Sequence, residues 1–261
     1  MFKIATWNVN SLRVRLPQVL DWLASTAPDI IALQEIKMTD KQFPLEEIQA
    51  AGYHALFSGQ KTYNGVALLS RVEGSEVITD LPHLDDPQRR VLGATYGTLR
   101  VLNLYVPNGA AVDSDKYQYK LNWLKHLHDY IRESLTHYPH LMVLGDFNIA
   151  PEDRDVYDPA VWEGKILVSP PERAALQDLL GLGLRDIFRL FEKPHASFSW
   201  WDYRGGAFRR NHGVRIDLIL ASTALSSHCH TCVIDIAPRR LERPSDHAPV
   251  VATFSNVSTA D

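Results

Sequence analysis

Residues 91–106 read VLGATYGTLRVLNLYV, and the spacing within this segment sets the class of fold. The segment holds two runs rich in apolar residues, 91–96 and 100–106, and each run predicts a buried strand. Three residues separate the runs, whereas the crossover between parallel strands needs a dozen or more. The two strands should therefore pair antiparallel, so the sequence predicts mixed sheets rather than the parallel sheet of a Rossmann fold.

Further apolar runs along the chain predict more buried strands, with amphipathic helices between some of them. The strands are predicted over residues 2–7, 29–34, 66–70, 141–146, 214–220, 231–236 and 250–254, and the helices over 17–24, 45–51, 115–137, 172–180 and 185–191. Pro17 and the pair Pro170 and Pro171 stand where the first turn of a helix tolerates proline. The pattern predicts an α/β sandwich, with mixed sheets inside and helices outside.

The composition excludes several classes of protein. The chain of 261 residues carries 27 Lys and Arg against 31 Asp and Glu, a net charge of −4, which excludes a basic arm that wraps a polyanion. Hydrophobic residues make up 45% of the chain, enough for a packed core, so the chain is not disordered. The sequence shows neither the pattern of a signal peptide nor an apolar run of the ~18–20 residues that a bilayer span needs. We therefore expect a cytoplasmic protein that makes no membrane contact.

Polar side chains cluster where the predicted strands end. Glu35 follows one strand, Asp146 ends another, Asp217 lies within a third, and Asp246 and His247 precede the last. Each of them alone could cap a turn or a helix. Together, four carboxylates, several amides and a histidine are an energetically costly concentration of polar groups unless they have a function. The loops that follow strand ends are where open α/β sheets place their sites.

Seven segments, in this order, resemble the exonuclease III family of apurinic/apyrimidinic endonucleases. They are TWNVNSLR (6–13), LQEIK (33–37), NGVA (64–67), YVPN (105–108), LGDFN (144–148), GVRID (213–217) and SDHAP (245–249). The resemblance spans residues 2–254 and implies a DNase I-like fold, a four-layer α/β sandwich of two mixed β-sheets packed face to face and flanked by helices. It also implies one endonuclease/exonuclease/phosphatase domain over residues 1–261.

The activity that this resemblance implies is the cleavage of DNA phosphodiesters in repair. The expected reactions are Mg²⁺-dependent incision on the 5′ side of abasic sites and removal of nucleotides or blocking groups from 3′ ends, with Mn²⁺ as a substitute ion. The expected partner is double-stranded DNA with abasic sites or blocked 3′ ends. We expect the chain to act on it as a monomer, at the nucleoid.

The resemblance and the chemistry of phosphodiester hydrolysis together assign the metal site. Glu35 and Asp246 offer the hard carboxylate oxygens that Mg²⁺ prefers, and Asn8 adds an amide oxygen or orients Glu35. Asp146 is expected to orient or deprotonate the attacking water. Asn148 is expected to donate from its amide to the phosphate, because both side chains would point to the same side of an extended chain. The predicted metal set is Asn8, Glu35, Asp146, Asn148 and Asp246.

A histidine–aspartate pair completes the predicted catalytic group. The family pairs His247 with Asp217, which would fix the tautomer of the imidazole and raise its pKa while the other ring nitrogen faces the phosphate. Tyr105 resembles the active-site tyrosine of the family and is expected to hydrogen-bond to the scissile phosphate or to protonate it. Together with Asp146 and Asn148, these three residues form the predicted catalytic set.

Two tryptophans are candidates for a substrate pocket. The segment FSWWDY, residues 198–203, resembles the family's aromatic segment, which walls the pocket for an extruded sugar without its base. A Trp-Trp pair by itself is more often part of a core. Because the other family motifs are present, Trp200 is predicted to line the pocket. The sequence does not decide whether Trp201 lies in the pocket or in the core.

Basic and amide side chains supply the other expected DNA contacts. Residues 204–215 carry four arginines and no acidic residue, directly after the aromatic segment. Arg204 and Arg210 are therefore expected to contact phosphates. Asn64 and Asn108, within NGVA and YVPN, complete the predicted substrate-binding set.

The chain departs from the family pattern at two positions. Val214 stands where the eukaryotic branch has a pocket tryptophan, which puts in question the balance between endonuclease and 3′-end activities. Asn10 stands where that branch has an aspartate near the metal, which suggests a metal site with one carboxylate fewer.

Other functions remain open at this point. The chain could act on inositol phosphates, phospholipid head groups or RNA with the same fold, could process 3′ ends with weak abasic endonuclease activity, or could bind nucleic acid without catalysis. Cys229 and Cys232 form a C-x₂-C pattern beside His228 and His230. We expect an ordinary strand edge there rather than a zinc or redox site, because the crowding opposes tetrahedral geometry.

Overall fold

Two six-stranded sheets form the centre of the fold. The structure, a computed structural model, describes residues 1–255 and 257–259. The strands are β1 (Phe2–Asn8), β2 (Ile30–Gln34), β3 (His54–Ser58), β4 (Val66–Ser70), β5 (Ser75–Ile78), β6 (Val91–Tyr96), β7 (Leu99–Tyr105), β8 (Leu141–Asp146), β9 (Leu184–Asp186), β10 (Asp217–Ser222), β11 (Cys229–Ile234) and β12 (Val250–Phe254). The α-helices are α1 (Leu12–Thr26), α2 (Leu45–Ala50), α3 (Asp115–His137), α4 (Pro159–Trp162), α5 (Pro170–Gly181) and α6 (Thr223–Ser226).

Each sheet combines one parallel pair with antiparallel neighbours. The strand order is β11-β12-β1-β2-β4-β3 in the first sheet and β5-β6-β7-β8-β10-β9 in the second. The parallel pairs are β1 with β2, joined by α1, and β7 with β8, joined by α3. The β6 and β7 strands pair antiparallel, as the short connection between them predicts. The prediction of mixed sheets is therefore confirmed.

The side chains sort into layers, because alternate residues of a strand face opposite sides of the sheet. Ile4 of β1 and Leu144 of β8 belong to an apolar cluster that fills the space between the two sheets. Trp7 of β1 lies in a second cluster with the buried face of α1, and Leu127 of α3 lies in a third with the outer face of the second sheet. The order of layers is helix, sheet, sheet, helix, which confirms the predicted four-layer sandwich.

One predicted helix is wrong, and one predicted helix start is displaced. Residues 185–191 do not form an α-helix, because β9 pairs there with β10 and the Asp186 carboxylate then caps a short 3₁₀ turn, Ile187–Leu190. The first helix begins at Leu12, so Pro17 lies in its interior and not in its first turn. Pro17 is exposed, and the carbonyl that loses its helical partner there can face water.

The remaining differences lie at sheet edges, at element ends and at the two four-residue helices α4 and α6, which were not predicted. The strand predicted over 214–220 is displaced: β10 begins at Asp217, and Val214 forms isolated bridges with Val156 and Trp200 instead. The three strands β3, β5 and β9 were not predicted, and each lies at a sheet edge. Edge strands expose one side of their backbone and carry fewer buried residues, so their apolar signal is weak. None of the helices within the described residues combines the length and the apolar character needed to span a bilayer.

Candidate active site

The polar strand ends converge on one edge of the two packed sheets. Asn8 ends β1, Tyr105 ends β7, and Glu35 follows β2 directly. Asp146, at the end of β8, lies opposite Tyr105 on one side and Asp217 on the other. Contacts between β1 and β8 bring the two sheets together at this point. The topology therefore gathers residues that are more than a hundred positions apart in sequence.

The Asn8 amide joins the two carboxylates of this edge. Its Nδ2 atom donates to Glu35 Oε1 over 2.8 Å and to Asp146 Oδ2 over 2.9 Å. Its Oδ1 atom accepts from the backbone N–H of Asn10, which fixes the orientation of the amide. Asn8 is fully buried. The N–H groups of the Asn8 amide therefore face the two carboxylates, and its oxygen points away from them.

His247 lies between two buried aspartates. Its Nδ1 atom is 2.9 Å from Asp217 Oδ2, and its Nε2 atom is 3.7 Å from Asp146 Oδ2. Burial lowers the pKa of His247, but the carboxylates of Asp217 and Asp146 outweigh that effect and raise the pKa to about 10. The imidazole is therefore a cation at neutral pH. Burial raises the pKa of Asp146 to about 7, although the charge of His247 opposes the rise.

Two serines orient this pair, and the sequence reasoning gave them no role. The Ser199 hydroxyl oxygen accepts from the backbone N–H groups of Ile216 and Asp217. Ser245 donates from its hydroxyl to the carbonyl of Asn8 and accepts from the backbone N–H of His247. Ser245 stands in the SDHAP segment and Ser199 in the FSWWDY segment, so the motif around each serine could have drawn attention to it.

Asn148 reaches the site by a different backbone path from the one expected. Its φ angle of 48° is left-handed, so the extended-chain argument for Asp146 and Asn148 is wrong. Instead, the backbone N–H of Asn148 donates to Asp146 Oδ1 over 2.9 Å. The Asn148 side chain donates to the carbonyl of Val106 and accepts from Asn108 Nδ2 over 3.0 Å. The two asparagines are thus held together next to the Asp146 carboxylate.

Asp246 lies in a separate polar group beside the buried cluster. Its Oδ1 atom accepts from Asn10 Nδ2 over 2.9 Å, and its Oδ2 atom accepts from the indole N–H of Trp200 over 3.0 Å. The Asn10 oxygen in turn accepts from Lys37, whose ammonium is 2.8 Å from Glu35 Oε2. The unusual Asn10 therefore connects the Asp246 carboxylate with the ammonium that pairs with Glu35.

The Tyr105 phenol stays protonated at neutral pH. Burial, and then the charges of Glu35 and Asp146, raise its pKa well above the usual value. The guanidinium of Arg90 lies over the Tyr105 ring, 4.6 Å from its centroid, and donates to the Tyr105 carbonyl. Tyr105 is therefore a hydrogen-bond donor at the edge of the cluster.

The donor set fits a hard divalent cation. Oxygens of Glu35 and Asp146 and a ring nitrogen of His247 lie within 4.8 Å of one another, the one such group found among residues 1–255 and 257–259. Because the His247 ring is protonated, the two carboxylates are the metal donors of this group. Carboxylate oxygens are the ligands that Mg²⁺ prefers, and it needs only one or two of them because it keeps several waters. Within the described part of the chain, the His228–Cys232 segment forms no comparable group. Cys232 is buried and Cys229 partly so.

The two tryptophans have different surroundings. Trp200 is partly buried, bridges to His247 and Val214 through its backbone, and packs beside a small apolar cluster that includes Val214. Trp201 is buried in the core, where its ring meets the edge of Phe208 and its indole N–H donates to Asn211. The structure therefore assigns Trp201 to the core and leaves Trp200 beside the catalytic cluster.

The predicted substrate-binding residues lie in more than one place on the molecule. Asn64 and Asn108 line one cleft of about 410 Å³, and Asn108 also contacts Asn148. Arg204 and Arg210 are exposed on the loop after Trp201, and Arg204 pairs with Asp202 over 2.6 Å. The two arginines make no hydrogen bond or ion pair to the catalytic cluster within the described residues.

Comparisons with known proteins agree with this arrangement. Residues 5–247 match the Endonuclease/Exonuclease/phosphatase family. Exodeoxyribonuclease III of Haemophilus influenzae is 37% identical over 265 residues, which cover 97% of this chain and 99% of that protein. The structure of a 3′ phosphatase, NExo from Neisseria, bound to a product DNA hairpin has a TM-score of 0.96 at 50% identity and covers 98% of this chain and 100% of that one. An AP endonuclease from Archaeoglobus fulgidus has a TM-score of 0.95 at 40% identity, with 98% and 100% covered.

The chain belongs to the endonuclease/exonuclease/phosphatase family, which has the DNase I-like fold described above. As a homologue of exodeoxyribonuclease III, it is a hydrolytic nuclease, a phosphodiesterase of DNA repair. The predicted family and activity are confirmed at this level. The roles of the individual site residues remain predictions.

Proposed function

We propose that the chain hydrolyses phosphodiesters of double-stranded DNA with Mg²⁺, on the 5′ side of abasic sites and at blocked 3′ ends. The observation that carries this proposal is the buried Asn8 amide, which holds the Glu35 and Asp146 carboxylates within reach of His247. Two carboxylates, a cationic imidazole and a phenol at one point supply the groups that phosphodiester hydrolysis needs.

Glu35 and Asp146 would hold the metal ion, and Asp246 would supply a further carboxylate for it. When bound, Mg²⁺ neutralises charge on the non-bridging phosphate oxygens, and Mn²⁺ is expected to substitute for it. Asn8 keeps the two carboxylates in place, and Asn10 and Trp200 orient Asp246. These carboxylates thus supply the oxygen ligands for the metal ion that the family requires.

Asp146 would act as the general base. This carboxylate, bonded to the Asn8 amide and 3.7 Å from His247 Nε2, would orient the attacking water and take its proton. The water oxygen then forms a bond to phosphorus while the bond from phosphorus to the 3′ oxygen breaks. His247 and the amide of Asn148 donate to the phosphate as charge develops, and Tyr105 donates at the same phosphate. Asp217 keeps the imidazole charged and oriented.

Trp200 would form one wall of the pocket for a sugar without its base. Such a site loses less stacking on extrusion than an intact nucleotide does. A second candidate, favoured by the 50% identity to a 3′ phosphatase against 40% to an AP endonuclease, is an enzyme that mainly processes 3′ ends. Asn108 and Asn64 line the cleft that a DNA strand would enter in either case.

Two substrates separate these functions. One is a duplex with a single abasic analogue, and the other is a duplex with a 3′ phosphate; each is incubated with Mg²⁺ and with EDTA. We expect Mg²⁺-dependent incision of the first and phosphate release from the second, with Asp146→Asn lowering both rates by about 10² or more while the fold is retained. Release from the second substrate alone would assign 3′-end processing. Hydrolysis of RNA or inositol phosphates but of neither DNA substrate would overturn the proposal.

We also propose that the chain is one domain and acts as a cytoplasmic monomer at chromosomal DNA. Light scattering should give the mass of a single chain, 29.5 kDa. Cell fractionation should recover the protein with the DNA. A dimer mass at micromolar concentration would contradict the first expectation.

A further inference from the structure

A buried lysine lies directly behind the two asparagines of the active site. Lys120, on α3, has no exposed surface. Its ammonium donates to the backbone carbonyl of Asn148 over 2.6 Å and to that of Asn108 over 3.2 Å. Its third partner is the carboxylate of Glu172, in the first turn of α5. All three donors of this ammonium are therefore used inside the protein.

Glu172 connects the ammonium with a second set of backbone groups. Its Oε1 atom also accepts from the backbone N–H of Leu167, and its Oε2 atom accepts from the N–H and the hydroxyl of Ser169. The Ser169 hydroxyl is also 2.7 Å from the phenol of Tyr117, one helical turn before Lys120. The ion pair therefore fixes α3 and α5 to each other, to the segment between α4 and α5, and to the residues that follow β8.

The partners of Lys120 distinguish it from an ion pair that merely joins two helices. Taking two charges out of water costs free energy that their attraction often fails to recover. Two of the three ammonium donors are directed not at Glu172 but at loops that carry Asn108 and Asn148. Asn148 has a left-handed backbone, which asparagine tolerates better than most non-glycine residues, and the Lys120 ammonium bonds its carbonyl in that conformation.

We infer that Lys120, anchored by Glu172, is a positioning residue that holds Asn108 and Asn148 in register with the scissile phosphate. The inference rests on the proposed role of Asn148 at the phosphate. Asn108 and Asn148 are bonded to each other through their side chains, and the Asn148 N–H is bonded to Asp146. A shift of the Lys120 ammonium would therefore move the side-chain amide donors that face the phosphate.

The first test separates positioning from stability. Lys120→Met should lower kcat on the abasic duplex about 10–100-fold, as loss of an outer partner of a site commonly does, and change KM less than about threefold. The matched control is Leu127→Ala, two turns further along α3 and buried against the second sheet. The control should lose thermal stability to a similar degree but keep kcat within about threefold of the parent.

A double variant distinguishes a loss of kcat from a loss of folding. Lys120→Met alone leaves the Glu172 carboxylate buried without its cation, so Lys120→Met with Glu172→Gln removes both charges together. A folded double variant with lowered kcat supports the inference. A double variant with the kcat of the Leu127→Ala control would overturn it. A double variant that does not fold would assign the pair to stability and would overturn it as well.

A double-mutant cycle with Asn148→Ala tests the route of the effect. If Lys120 acts through Asn148, Lys120→Met should change kcat less than about threefold in the Asn148→Ala background. An equal loss in both backgrounds would overturn the inference alone. Full kcat in Asn148→Ala itself would instead overturn the proposed role of Asn148. The failure of the inference and the failure of the proposed function therefore give different results in this cycle.

Discussion

The Nδ1 atom of His247 lies 2.9 Å from Oδ2 of Asp217, and both side chains are buried. This contact fixes the imidazole so that its Nε2 atom faces Asp146. The carboxylate also supplies the largest of the effects that raise the pKa of His247 and outweigh burial. Asp217 therefore sets both the direction and the charge of the residue that is proposed to donate to the phosphate.

Replacing this carboxylate should change the pH dependence of the reaction. Asp217→Asn removes a negative charge beside His247, so the pKa of His247 falls from about 10 and the imidazolium is lost at a lower pH. We expect kcat to fall by about 10² or more and the alkaline limb of the pH–rate profile to move to lower pH. NMR titration of the His247 ring checks the direction. An unchanged His247 titration would contradict this account of the charge.

Removing the carboxylate of Glu35, a proposed metal ligand, should raise the Mg²⁺ concentration that the reaction needs. Glu35 is held by the Asn8 amide and pairs with Lys37, so Glu35→Gln leaves its packing nearly intact while it removes the charge. We expect no turnover in EDTA, and a Mg²⁺ concentration for half-maximal rate that is about 10–100-fold higher in the variant. Glu47→Gln, at an exposed position on α2, is the control and should behave like the parent protein.

The adjacent tryptophans should respond differently to truncation. Trp201→Ala opens a cavity in the core and should lower the free energy of unfolding by about 3–5 kcal/mol. Trp200→Ala should destabilise less and should lower kcat/KM on the abasic duplex about tenfold or more. Trp200→Phe keeps an aromatic wall but removes the indole N–H that orients Asp246, so it separates the two roles. Equal activity of Trp200→Ala and the parent protein would exclude Trp200 from the pocket.

The bounds of the central strands were predictable to within a few residues, because a strand that is buried on both faces has a continuous run of apolar residues in its sequence. The edge strands β3, β5 and β9 lack that signal, since few of their side chains are buried. The motif residues of the site were named from the sequence, but their contacts were not. The hydrogen bond from the Asn8 amide to Asp146 joins residues 138 positions apart in sequence. The orientation of that amide depends on the backbone N–H of Asn10, which donates to its oxygen. Local sequence likewise could not separate Trp200 from Trp201, because the burial and the contacts that distinguish them come from segments distant in sequence.

The thiols of the C-x₂-C segment should be unreactive. Burial raises the pKa of Cys229 to about 11 and raises that of Cys232 further. At pH 8 only about one Cys229 thiol in a thousand would be ionised, and the thiolate is the reactive form. Labelling with a disulfide reagent should therefore be slow in the native protein and complete after denaturation, which is the control. Fast native labelling, or one zinc per chain by elemental analysis, would revive the metal or redox interpretation.

The exposed arginines after the aromatic segment should set the salt dependence of DNA binding. Their positions allow contact with phosphates, although the chain as a whole carries a net charge of −4. The Arg204 guanidinium already pairs with Asp202 and lowers the pKa of that carboxyl, so it would exchange this partner for a phosphate on binding. We expect Arg204→Ala and Arg210→Ala each to weaken binding to all duplex sequences and to reduce the slope of log K against log salt by about 1. Fluorescence anisotropy across salt concentrations measures this slope. Arg132→Ala, at an exposed position on the outer helix α3, is the control and should leave it unchanged. A slope in the Arg204 and Arg210 variants equal to that of this control would exclude both arginines from the DNA interface.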